Sequence, residues 1–149
     1  MKKSVFFLST IILLLNQSIF SQKFDDQKWV VDFPENVNTE LTSEENNMIE
    51  EAFGMDLKNK ILSNHSRLMD IKDILRNRVE LFDAKEKNIS SIMTLSKVPL
   101  YDFRLLPKSF DPNNFNPLLY NFNFYSKETL VYRVENTSYL IFIQPRKLK

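Results

Sequence analysis

The chain has one histidine and no cysteine, and that scarcity limits the chemistry open to it. His65 falls four residues after Ile61 and three before Leu68, at the border of an apolar helical stripe. One imidazole cannot form a two-histidine metal site, and a Ser-His-Asp arrangement cannot be argued from one member. A helix-border side chain bonded locally is the expectation. Carboxylates are the next source of chemistry. Glu44, Glu45, Glu50 and Glu51 crowd one stretch, and a hydrolase can use two acids held at a fixed separation. Glu44 and Glu45, however, stand at a helix start, whose positive end attracts them. Glu50 and Glu51 fall on the polar side of that helix, so a solvated face is expected. Asp25-Asp26 lacks the alternating acids and the glycine of a calcium loop.

Lys72, Arg76 and Arg78 gather where a helix should end. A small anion site is one reading. Three solvated cations drawn to the negative helix end is the simpler one. Aromatic residues offer a third kind of site. Tyr101, Phe103, Phe110, Phe115 and Tyr125 could form a contact surface, since aromatics dominate binding hot spots. With aromatics at 13% of the chain, most must instead be core. Gly54 is the sole glycine. Phosphate-cradling loops need several, so the P-loop and the dinucleotide fingerprint are excluded. Thiolate metal sites and cysteine nucleophiles are excluded with the missing cysteines. No catalytic, cofactor-binding or metal-ligating residue is therefore assigned, and no cofactor is expected.

The elements that would position these residues read as follows. Trp29, Val31 and Phe33 alternate with Lys28, Val30 and Asp32 as a short strand ended by Pro34. Residues 34 to 41 are a polar connection. Thr42 and Glu45 make a capping box for a first helix over 43–53, with Gly54 as its left-handed stop. A second helix is predicted from about Asp56 to Arg76, its stripe formed by Leu57, Ile61, Leu68 and Leu75. Val79 to Phe82 alternates as a strand, and Ile89 to Leu95 leans weakly the same way. Residues 96–118 hold four of the six prolines among many aromatics. They read as a long ordered loop that wraps and packs on the domain.

The C-terminal third is clearest. Leu119 to Tyr125, Thr129 to Glu135 and Ser138 to Gln144 are rich in aromatic and β-branched residues. A turn at Asn136-Thr137 pairs Val134 with Tyr139, Tyr132 with Ile141 and Leu130 with Ile143, all on one face. Tyr120, Phe122 and Phe124 should join that face as the first strand of a three-stranded meander. The tail residues Arg146, Lys147 and Lys149 read as a solvated basic end.

The first 21 residues carry an address. Lys2-Lys3, the apolar run Val5 to Leu15 and the small Ser21 are the three parts of a cleavable signal peptide. The run is short of the roughly 20 residues a spanning helix needs, and Asn16-Gln17 interrupts it. Cleavage after Ser21 leaves residues 22–149 as one domain, periplasmic or extracellular. Removing Lys2 and Lys3 from 20 basic residues leaves them one short of the 19 acidic ones. Such a balance gives no electrostatic case for nucleic acid.

The stretch Phe115-Asn116-Pro117-Leu118, then Tyr120-Asn121-Phe122-Asn123-Phe124-Tyr125-Ser126, then Val131-Tyr132-Arg133-Val134-Glu135-Asn136-Thr137-Ser138-Tyr139, resembles small uncharacterised secreted proteins of Bacteroidota, flavobacterial type. The signal ending Ile19-Phe20-Ser21-Gln22 is similar to signals of that group. The likeness covers the signal and roughly residues 98 to 143. It implies localisation and a shared domain, and no activity.

The sequence therefore specifies an α+β domain. Two N-terminal helices pack on a mostly antiparallel sheet whose best-defined part is the meander. The expected function is non-catalytic binding of another protein or an envelope component. The contact region would be the loop of residues 99–117 together with an exposed sheet edge. A small carboxylate hydrolase is the alternative.

Overall fold

Thr42 sets the start of the helical half. Its hydroxyl accepts from Glu45 N at 3.1 Å, and the Glu45 carboxylate accepts from Thr42 N at 2.8 Å. Two otherwise orphaned donors are thus satisfied together. The computed structural model describes residues 31–85, 90–105 and 109–148, apart from the Phe103 side chain. The signal peptide, Asp25-Asp26 and Trp29 lie outside them.

Helix α1 spans Ser43–Ser63 and is broken at Gly54, whose φ of 72° and ψ of 167° only glycine adopts readily. The predicted stop is real, but the chain resumes a helix at once. Asn64 ends α1 with extended backbone and caps α2, His65–Asp73, by accepting from Arg67 N at 3.1 Å. The single predicted helix from Asp56 to Arg76 is therefore two pieces. The breaks reset the helical phase, so Leu57 of the predicted stripe turns out to be 49% exposed. Ile49, Ile61, Ile71 and Ile74 carry the buried face instead. A wide π turn over Ile74–Arg78 delivers the chain to β1, Val79–Asp83.

The sheet has three antiparallel strands in the order β1-β3-β2, with β2 at Leu130–Arg133 and β3 at Tyr139–Ile143. The hairpin register is the predicted one: Leu130 opposes Ile143 and Tyr132 opposes Ile141. Val134 N donates to Tyr139 O at 3.0 Å, and Asn136 takes the left-handed conformation at φ 57°. β1 lies on the other side of β3, with Val79 opposite Ile143 and Leu81 opposite Ile141. The class is α+β, as expected.

The third strand of the sheet is β1 and not the first strand of the predicted meander. Residues 120–124 form no strand. Phe122 N donates to Tyr120 O and Phe124 N to Phe122 O, both at 2.9 Å, two successive γ-turns. These turns keep the two-residue alternation, so Tyr120, Phe122 and Phe124 are still buried together at 8%, 3% and 7% exposure. Phe122 packs against Tyr120, Phe124 and Tyr132, and the three ribbon rings join Ile141, Ile143 and the helical isoleucines in one core.

Residues 95–105 and 109–119 pack on this core, as expected of the ordered loop. They are divided by 3₁₀ turns at Leu95–Lys97, Phe103–Leu105 and Pro117–Leu119. Leu95, Val98, Leu118 and Leu119 are buried. Leu100 bridges Tyr120, and Thr94 bridges Arg133. The polar connection after Pro34 holds a 3₁₀ turn at Glu35–Asn38 with Val37 fully buried. Of the predicted first strand, Val31 forms a single bridge to Leu148.

Candidate functional site

Arg76 shows how the cations of the helix end are used. Its Nε donates to Glu45 Oε1 at 2.5 Å and its Nη2 to Glu45 Oε2 at 2.7 Å. It also reaches Asn36 O, Thr39 Oγ1 and Glu40 O. Paired with Arg76, the Glu45 carboxyl is held below the usual carboxylate range. Lys72 is buried and donates to Thr39 O at 2.6 Å. Arg78 is 3% exposed and donates to Gln144 O at 3.1 Å and to Phe124 O. Burial pushes its pKa down, partly offset by Asp73. The expected trio of solvated cations is thus corrected. The chain folds back over the helix end: Lys72 and Arg76 both fasten the segment around Thr39, and Arg78 fastens Phe124 and Gln144.

The expectation of a solvated basic tail is corrected at Arg146, while the Lys147 side chain is exposed as expected and Lys149 lies outside the described residues. Arg146 donates to Asp70 Oδ1 at 2.7 Å and lies 5.3 Å over the Tyr125 ring. Asp32 N donates to Lys147 O at 3.1 Å. Arg76, Arg78, Arg146 and Lys147 line one cleft of about 620 Å³ together with Asp32, Asp73 and Glu80. Acidic and basic groups alternate there, so the cleft does not select an anion.

The four glutamates do not converge. Glu44 is exposed. Glu45 belongs to Arg76 and the helix cap. Glu50 accepts from Lys58 at 2.9 Å across the Gly54 break. Glu51 accepts from Asn116 Nδ2 at 2.9 Å. The same Asn116 amide reaches Met48 O and tethers the loop to α1. His65, exposed at the first turn of α2, is bound to no such group. Among the described residues no three His, Cys, Asp or Glu side chains are placed to hold a metal.

A second, broader groove of about 1400 Å³ opens elsewhere among the described residues. Four segments build it: the Gly54 break of α1, the exposed side of α2, residues 101–105 and the γ-turn ribbon 121–125. The ribbon buries Phe122 and Phe124 and turns Asn121, Asn123 and Tyr125 outward. Tyr101 N donates to Leu119 O at 3.0 Å, which holds that segment beside the ribbon. Tyr101 and Tyr125 are 58% and 76% exposed, and both line the groove. At its rim Arg104 grips Asp102 through Nε and Nη2 at 2.9 and 2.6 Å and holds that carboxyl down to about 2.

The predicted contact aromatics thus divide. Tyr101 and Tyr125 face the groove. Phe110 packs on Phe115 and Tyr139, and Phe115 on Tyr120, with centroids 5.6–5.7 Å apart. Phe103 lies in the 3₁₀ turn at the groove rim, its side chain outside the described residues. Sequence reasoning missed the groove's helical wall. The exposed Leu57 signals it only once the phase reset at Gly54 is known.

No family model, curated protein or solved structure matches the chain. No described helix is long and apolar enough to cross a membrane.

Proposed function

We propose that the protein is an exported, non-catalytic binder that takes another protein or an envelope component against the Tyr101–Tyr125 groove. The observation that carries this reading is the division of the aromatics. Tyr120, Phe122 and Phe124 are buried and Phe110 and Phe115 half-buried in ring-on-ring contacts, while Tyr101 and Tyr125 stay exposed and line the same groove. Exposed tyrosines with an apolar body and a polar tip are typical contact anchors. Export rests on the tripartite N-terminal segment and on the resemblance to secreted proteins of Bacteroidota. The hydrolase reading loses support from the electrostatics. A general acid needs a raised carboxyl pKa, whereas the resolved shifts of Glu45, Asp83, Asp102, Asp111 and Glu135 are all downward.

The test is capture from envelope extract with the mature chain, residues 22–149, against a Tyr101→Ala/Tyr125→Ala variant of equal thermal stability. A partner retained by the first and lost by the second is the expected result. Identical capture by both would remove the groove from the reading.

A further inference from the structure

The two edges of the sheet are treated differently. The outer edge of β2 is covered: Arg133 N donates to Met93 O at 2.9 Å, and Thr94 bridges Arg133. The outer edge of β1 is open. Gln144 N donates to Arg78 O at 2.7 Å and Ala84 N to Ser138 O at 2.9 Å. In an antiparallel ladder these bonds fix which residues face the partner strand. Positions 78, 80, 82 and 84 turn their N–H and C=O toward β3. Val79, Leu81 and Asp83 turn theirs away from the sheet. No described residue bonds those outward groups.

Beside this edge lies a shallow groove of about 340 Å³. Met48, Leu75, Val79, Leu81, Phe115 and Pro117 supply its apolar lining. Three carboxylates stand exposed around the edge: Glu44 at the groove mouth, Glu80 on the opposite face of β1, and Asp83 at the strand end. Glu45 also lines the groove but is engaged by Arg76. Lys85 follows past the end of the strand, and Lys147 is exposed in the cleft that Glu80 also lines; the three arginines of that cleft are engaged by carboxylates, Arg76 by Glu45, Arg78 by Asp73 and Arg146 by Asp70. Unpaired strand edges are templates for another chain, and proteins commonly blunt them with lysine or proline. β1 carries neither.

We infer that β1 accepts an extended segment of a partner protein as a fourth strand, and that this segment alternates apolar residues with lysine or arginine. Resting on the binder reading above, the inference adds a second surface and a partner chemistry. Main-chain bonds to Val79, Leu81 and Asp83 supply the pairing. The apolar side chains of the segment enter the groove beside Leu81, and its cations on the other face lie beside Glu80. A second copy of this chain fits less well, because a two-fold pairing centred on Leu81 brings the two Glu80 carboxylates together as diagonal neighbours.

The probes are two fluorescein-labelled octapeptides, one alternating valine with lysine and one alternating valine with glutamate, titrated onto mature protein and followed by fluorescence anisotropy. The expected result is saturable binding of the lysine peptide, at least tenfold tighter than the glutamate peptide. Glu44→Lys/Glu80→Lys, at exposed positions, should reverse that preference. Leu81→Pro removes an outward N–H while leaving every bond to β3 and should abolish binding of both peptides. Should Leu81→Pro fail to fold, the charge reversal alone decides. Equal affinity for the two peptides, or no binding of either, overturns the inference. So does a wild-type dimer in sedimentation equilibrium that Glu44→Lys/Glu80→Lys fails to weaken. The Tyr101→Ala/Tyr125→Ala variant should bind the lysine peptide unchanged. Loss of peptide binding with tyrosine-dependent capture intact therefore sinks the edge alone, and the converse sinks the groove alone.

Discussion

Glu45 and Arg76, 31 residues apart, meet through two parallel hydrogen bonds of 2.5 and 2.7 Å, each side chain only 12% exposed. The same carboxylate closes the cap of α1. One glutamate thus starts the first helix and receives the end of the second. Glu45→Ala removes both, and a loss of about 3 kcal/mol is expected. About 1 of this comes from the cap and the rest from the charge-assisted pair. Glu44→Ala, one residue away and exposed, should stay within about 0.5 kcal/mol. Urea midpoints check both. The pH dependence has a defined sign. The Glu45 pKa is lowered in the folded state from 4.5, chiefly by the Arg76 hydrogen bonds. Its contribution is therefore fully present above about pH 4.5 and is lost as pH falls through the lower folded value. Glu45→Gln should flatten the stability profile in that acid window and leave the profile above pH 6 parallel to wild type.

The γ-turn ribbon makes a sharp contrast between residues three apart. The Phe122 ring touches Tyr120, Phe124 and Tyr132 at 5.1–5.8 Å and is 3% exposed. Phe122→Ala should cost about 3–5 kcal/mol. Tyr125 is 76% exposed and offers only its ring face to Arg146. Its replacement by alanine should cost at most about 1 kcal/mol. Thermal melts of the two variants measure the difference. Equal costs would mean that the ribbon does not alternate.

These contrasts show what a sequence exposes and what it hides. The β2–β3 register was legible, because a one-residue slip would move Leu130, Tyr132, Ile141 and Ile143 to the wrong face. The capping box at Thr42 and the strand at Val79 were legible for similarly local reasons. The ribbon of Tyr120, Phe122 and Phe124 misled in one respect. Alternation reports which side chains are buried and says nothing of where the backbone bonds go, and two γ-turns alternate as a strand does. Strand order is a matter of topology: residues 119–125 were expected beside β2, whose outer edge meets Thr94 instead, and the third strand, β1, pairs with the far side of β3. The cations were misread because Arg76, Arg78 and Arg146 find partners 31, 46 and 76 residues away. For the same reason the groove could be named only by Tyr101 and Tyr125, while its helical wall was hidden by the break at Gly54.

Gly54 itself gives a test against simple helix propensity. Alanine favours a helix interior over glycine by about 1 kcal/mol. At φ 72° and ψ 167° a side chain is strained even though an added Cβ would meet nothing within 4 Å. Gly54→Ala should therefore destabilise by about 1–3 kcal/mol. If the break were incidental, the same substitution would straighten α1 and stabilise the protein. The sign of the change in melting temperature separates the two. In that alternative the straight helix would also carry Lys58 away from Glu50, eight residues earlier, and Lys58→Ala would become silent in the Gly54→Ala background.

Arg78 is the most deeply buried charged residue among the described residues, and its environment makes a quantitative cycle possible. Its guanidinium donates to the carbonyls of Gln144 and Phe124 and lies 3.9 Å from the Asp73 carboxylate. Arg78 and Asp73 side chains are 3% and 7% exposed, so neither charge has water to fall back on. Arg78→Met keeps the length and removes the charge. It should cost about 3–5 kcal/mol, because Asp73 is left buried without its countercharge and two carbonyls lose a donor. Asp73→Asn alone should cost less, since the amide can still accept from Asn77 as the carboxylate does at 3.1 Å. The double variant should be more stable than the sum of the two losses by at least about 1 kcal/mol, because the charge orphaned in each single variant is absent. Strict additivity in urea unfolding would show that Arg78 acts through its carbonyl bonds alone, and that Asp73 is a neighbour without electrostatic consequence.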